Sequence, residues 1–143
     1  MEDPMKKIDI QSIIFVILIA IPAFAFAGNI VETPSGLRYE DLTLGDGKRA
    51  VPGKVATIHF TMWENDGGLK GTQLYDSYSE NVPLSFKLGT KKVADGLNLG
   101  VNGMKVGGKR ILYVPPELNP KIASGPFPAN ANLIFEVELL KID

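Results

Sequence analysis

The stretch VADGLNLGVNGMKVGGKR, residues 93–110, decides the fold. Val93, Leu97, Val101 and Met104 recur at spacings of four, four and three, which marks one apolar face of a helix. Gly96, Gly100 and Gly103 lie in the same run, and each costs a helix interior roughly 0.8–1.0 kcal/mol relative to alanine. Apolar spacing that survives such glycines points to a helix pressed close against a neighbour, where any larger side chain would hold it off. The run therefore predicts a helix over 93–103, laid on a sheet and closing the bottom of a pocket.

The sequence on either side supplies the sheet. Ile58, Phe60 and Met62 alternate with Thr57, His59 and Thr61; Leu84, Phe86 and Leu88 alternate with Ser85 and Lys87. Leu133, Phe135, Val137 and Leu139 share a face, with Glu136 and Glu138 opposite. Two-residue alternation of this kind marks half-buried antiparallel strands. Residues 110–115, RILYVP, predict a further strand stopped by Pro115 and Pro116, and the Gly and Asn/Asp clusters at 45–47, 65–68 and 119–132 punctuate the chain. One helix against several strands gives an α+β domain with the helix covering one sheet face.

The 143 residues are enough for one domain. Lys6 and Lys7 precede a charge-free run from Ile13 to Ala27 that ends in Ala25-Phe26-Ala27, the pattern of a secretory signal peptide. An uncleaved anchor is the alternative, but the run falls short of the roughly 20 apolar residues that span a bilayer. The expected organisation is a leader over 1–27 cleaved after Ala27, a short lead-in over 28–36 and one domain over 37–143, in a periplasmic or secreted protein. Removing residues 1–27 takes away two lysines and three acids and leaves the charges in balance. Nucleic acid and anionic membrane surfaces are poor partners for such a chain. The chain has no cysteine, which excludes disulfides, thiol chemistry, a Cys-based metal site and a lipid anchor on cysteine.

Nucleophilic and acid–base constellations are sparse. His59 is the sole histidine and sits on the polar face of a strand, where a structural role is expected. Residues 45–54, GDGKRAVPGK, lack phosphate-loop spacing and read as a turn, and NDGG at 65–68 reads as a hairpin turn. Asp76, before two serines in LYDSYSE, is the type of residue that forms turns. The apolar residues Phe60, Tyr75, Leu84, Phe86, Val93, Leu97, Phe127 and Phe135 remain. Phe127 lies between two prolines in SGPFPAN, where a large apolar side chain without a strand partner suggests the lip of a pocket.

The motifs TPSGLRYEDLTLGDG, VPGKVATIHFTMW, LYDS, PLSFKLG, VADGLNLGVNGMKVGGKR, VPPEL and NANLIFEVELLKID occur in this order over residues 33–143. Together they resemble the FKBP-type peptidyl-prolyl cis-trans isomerases, in the style of the exported single-domain bacterial group. The resemblance implies a half-open, curved antiparallel sheet wrapped around one short helix. The implied activity is rotation about X-Pro bonds, which breaks no bond and needs no cofactor or metal. It places Phe60 and Phe135 on a pocket wall, with Tyr75 and Asp76 matching an aromatic–aspartate pair. Leu84 and Phe86 match the strand before the helix, Val93 and Ala94 its entrance, and the Ala94 amide is expected to bind a substrate carbonyl. Phe127 falls among the residues that cap the proline.

The chain also departs from the pattern. Leu97 stands where active members carry tryptophan on the pocket floor, Ala94 replaces a larger aliphatic, and Phe60 lacks the tyrosine hydroxyl that helps hold the aspartate. NPKIASG, residues 119–125, replaces a segment with a ligand-binding tyrosine. Two readings follow: a monomeric isomerase acting on proline-containing unfolded or nascent exported polypeptides, or a catalytically weak module that binds apolar or proline-containing segments.

Overall fold

A computed structural model describes residues 29–119 and 128–143. The leader and Phe127 lie outside these residues. The described residues form seven strands: β1 (Ile30–Glu32), β2 (Arg38–Thr43), β3 (Val55–Asp66), β4 (Leu69–Asp76), β5 (Leu84–Lys87), β6 (Lys109–Val114) and β7 (Leu133–Ile142). All pair antiparallel in one open sheet of order β1-β2-β6-β7-β3-β4. β5 pairs with the first residues of β3, Val55 to Ile58, and β4 pairs with its second half, Thr61 to Asp66. A short helical turn, α1 (Ser77–Glu80), follows β4, and helix α2 (Asp95–Val101) lies between β5 and β6. This is the expected α+β arrangement, one open sheet with α2 on one face.

The alternating strands bury the faces their sequences predict. Ala56, Ile58, Phe60 and Met62 of β3 are buried, as are Leu133, Phe135, Val137 and Leu139 of β7. NDGG turns β3 into β4, with Gly67 at φ 61° and Gly68 at φ 93°. Residues 45–54 form loop and turn around an isolated bridge between Arg49 and Lys105. β1 lies within the predicted lead-in, and it pairs with β2 at the sheet edge.

Helix α2 is shorter than the predicted span. Ala94 precedes it with extended ψ of 142°, and Asn102 ends it with ψ 128°, followed by Gly103 at φ 87° in the turn back to Met104. Val93 and Met104 reach the core from the flanking turns instead. The apolar spacing thus reports a shared direction over a longer stretch than the helical hydrogen bonds do.

Two of the three glycines, Gly96 and Gly100, provide the close approach expected of them, whereas Gly103 serves a turn at positive φ. A Cβ built on Gly96 would collide with the side chain of Val114, and one on Gly100 with that of Leu112, both on β6. Three sides of α2 therefore have distinct tasks. Leu97 and Val101 enter the core, Gly96 and Gly100 touch β6, and Asp95, Asn98, Leu99 and Asn102 face outward. Buried Arg110 ties the helix end down: Nη1 donates to the Gly100 carbonyl at 3.0 Å, while Nε and Nη2 bond Asp41 of β2 at 2.6 and 3.2 Å. Its guanidinium also lies 4.1 Å from the Tyr39 ring centroid.

Candidate functional site: an apolar cluster under the helix

Strands β3, β4 and β7 each contribute one ring. Phe60 lies 5.2 Å from Tyr75 and 5.9 Å from Phe135 between ring centroids, in tilted contacts. These neighbours are far apart in sequence, but β3 pairs with both β4 and β7, and Met62 lies opposite both Tyr75 and Phe135. Phe86 of β5, Val93 and Leu97 join the same buried cluster, and Leu84 packs against it. Leu97, Phe60 and Phe135 are all but completely buried, whereas Tyr75 and Leu84 keep part of their surface in water. Tyr75 and Leu84 are among the partly exposed residues at the rim of this core, and Leu97 of α2 is wholly inside it.

Ala94 stands at the entrance to α2 and is fully buried. Its carbonyl accepts from the N–H groups of Leu97 and Asn98 at 3.1 Å each. Its own N–H donates to no group among the described residues. A buried amide donor without an acceptor is costly, about 1–3 kcal/mol.

Asp76 stands apart from the rings. It pairs with Thr61 in the β3–β4 ladder, one residue beyond the inward-facing Tyr75. Its Oδ1 accepts from Thr61 Oγ1 at 3.3 Å and from the Tyr78 N–H at 3.0 Å, which caps α1. The turn-forming role read from the sequence is thus present, and Thr61 and Tyr78 hold the carboxylate without a hydroxyl at position 60. Phe127, expected at the lip, lies outside the described residues.

His59 has the structural role expected of it, with its Nδ1 2.8 Å from Ser77 Oγ and its ring stacked 4.4 Å from that of Tyr78. Ser77 escaped the sequence reading. It is completely buried, and its Oγ accepts the Phe60 N–H at 2.8 Å, fixing the strand that carries the central ring. The serine in LYDS was visible, but its acceptor role depends on a strand seventeen residues away. Tyr78 donates its hydroxyl to Glu138 at 2.8 Å. Burial, this bond, and the charges of Glu138, Glu136 and Asp76 push its pKa above the ordinary 10.0.

Comparison with known proteins agrees with this arrangement. Residues 47–140 match the family model described as FKBP-type peptidyl-prolyl cis-trans isomerase. A protein named FK506-binding protein, from Neisseria meningitidis serogroup B, is 45% identical over 109 residues, covering 75% of this chain and 96% of its own length. The Arabidopsis thaliana peptidyl-prolyl cis-trans isomerase FKBP15-3 is 40% identical over 117 residues, 78% of each chain. Among solved structures, FkpA from Escherichia coli superposes with a TM-score of 0.68 at 30% identity, over 85% of this chain and 55% of that one. From its sheet and helix, and from the matched length of its sequence, the chain belongs to the FKBP-type peptidyl-prolyl cis-trans isomerases.

Proposed function

We propose that this isomerase accelerates X-Pro rotation in unfolded or nascent exported polypeptides, by taking the proline and its amide onto the apolar cluster beneath Tyr75 and Leu84. One observation carries the reading: Phe60, Tyr75 and Phe135 pack ring to ring in the core that includes Leu97, Tyr75 and Leu84 keep part of their surface in water, and the Ala94 N–H at the entrance to α2 has no acceptor among the described residues. Amide resonance sets a barrier of about 18–20 kcal/mol to the uncatalysed rotation. The planar amide is the more charge-separated form, so an apolar surround disfavours it relative to the twisted transition state. The Ala94 N–H would hold the carbonyl before proline while the bond turns. Each ~1.4 kcal/mol of preference for the twisted form is worth tenfold in rate. In this role Phe60, Tyr75, Phe86, Val93, Leu97 and Phe135 form the floor and wall, and Leu84 and Phe127 contact the bound segment. Asp76 holds the β4–α1 corner beside Tyr75.

The charge-free run before Gly28 supports export, with action in the periplasm or outside the cell as a monomer. A second reading, a binding module with little turnover, is favoured by Leu97, which gives the floor less flat area than an aromatic ring.

The test is the cis-to-trans rate of a Leu-Pro or Phe-Pro peptide with and without the purified protein. Acceleration that is lost when Phe135 is replaced by a polar residue, in a variant shown to fold, is the expected result. Suppression of aggregation at near-stoichiometric ratios without any change in rate would instead support the binding module.

A further inference from the structure

The outward side of α2 carries a groove of about 360 Å³ lined by Pro52, Leu88, Leu99, Asn98, Asn102 and Leu118. One side chain in its wall is engaged on both ends. Asn98 Oδ1 accepts the Gly89 N–H at 3.0 Å, and Asn98 Nδ2 donates to the Thr90 carbonyl. The main-chain N–H of the same residue donates to the Ala94 carbonyl at 3.1 Å. The Asn98 carboxamide therefore fixes the first two residues of the segment 89–94, while the last is held by the helix's own i→i−4 bond, which leaves the carboxamide as the tie that sets where the segment starts. Gly89 at φ 87° supplies the turn that brings its N–H to the helix. The Thr90 hydroxyl adds a bond to the Lys87 carbonyl, which joins the segment to the end of β5.

We propose that Asn98 is a positioning residue for isomerisation, setting the path of residues 89–94 and with it the orientation of the Ala94 N–H. The inference rests on the function proposed above, in which that N–H receives the substrate carbonyl. A carboxamide suits the task because it offers a donor and an acceptor from one planar group. A carboxylate at this position keeps the bond to Gly89 and loses the one to Thr90; alanine loses both.

The experiment compares the wild-type protein with Asn98→Ala, Asn98→Asp and Asn102→Ala. Asn102→Ala is the control, on the same groove but outside the clamp. Peptide isomerisation is read as kcat and KM separately, and hydrogen exchange at the Gly89 and Ala94 amides is read by NMR on the same samples. In Asn98→Ala we expect kcat/KM to fall about tenfold, with the Gly89 and Ala94 amides exchanging faster while β3 and β7 amides hold. Asn98→Asp is expected to fall between, and Asn102→Ala to match wild type. Unchanged kcat/KM in Asn98→Ala overturns the proposal, as does a loss of activity that tracks exchange throughout the sheet. Should the wild-type protein itself show no isomerisation, the parent reading fails. The clamp is then judged on exchange alone, and Asn98→Ala amides protected as in wild type would overturn it.

Discussion

Tyr78 shows how one side chain reports on its surroundings. Its hydroxyl donates to Glu138, with Glu136 and Asp76 nearby, so the folded protein holds the phenolic proton more tightly than the unfolded chain does. A group whose folded pKa is raised contributes stability that is full below its unfolded value and is lost as pH rises through the folded one. The urea midpoint of the wild-type protein is therefore expected to fall as pH rises beyond about 10. Tyr78→Phe should flatten that fall, and equal slopes in the two proteins would show that the tyrosine carries none of it. At the same scale lie the residues the sequence did not reveal. Ser77, Asn98 and Arg110 each bond a main-chain group brought to them by another element: Phe60 N–H, Gly89 N–H with the Thr90 carbonyl, and the Gly100 carbonyl. No local pattern announces such a bond, because the partner is set by the fold and accepts from or donates to any side chain of the right reach. The apolar residues of the candidate site were legible as core because burial itself imposes the spacing that identifies them. Asp76 was legible as a turn former from its neighbours, and its separation from the rings became visible only with the β3–β4 register.

Among the elements, legibility followed burial. β3, β5, β6 and β7 each place apolar side chains on a covered face, and their two-residue period could be read directly. β1 has no buried residue, and β4 leaves Leu69 and Leu74 in solvent. Pairing rather than burial holds them, so their sequences carry no alternation to read. Helix α2 was legible in type and overestimated in length, since Val93 and Met104 share its direction from outside its hydrogen bonds. Its closeness to β6 makes a sharp prediction. Gly100→Ala gains about 0.8–1.0 kcal/mol in helix propensity, but its Cβ meets Leu112. Overpacking of this kind costs typically 1–3 kcal/mol. The net expected result is a lower urea midpoint, whereas a raised midpoint would mean that α2 can shift away from the strand without penalty.

For the molecule as a whole, the two faces of the sheet differ in character. One holds the ring cluster and α2. The other carries hydrogen bonds between side chains of different strands, such as Thr57 of β3 with Ser85 of β5 at 2.8 Å and, across β3, Lys70 of β4 with Glu136 of β7 at 2.7 Å. Exposed pairs like these contribute little to stability, so the fold depends on the apolar face that also holds the candidate site. Catalytic competence and stability are therefore expected to be lost together when Leu97 or Phe135 is truncated. The proposed route of export makes its own prediction: the protein recovered from outside the cytoplasm should begin at Gly28. Recovery in membranes with residues 1–27 intact would identify an anchored form.

The contact of Gly96 with Val114 and of Gly100 with Leu112 also bears on how this sequence can drift. Neither member of a pair is free to change alone, because growth on the helix is admissible only after shrinkage on the strand. Each pair behaves as a single inherited unit, and the route between two acceptable versions passes through a cavity or a collision. The distance between helix and strand is thus set jointly by both members of each pair.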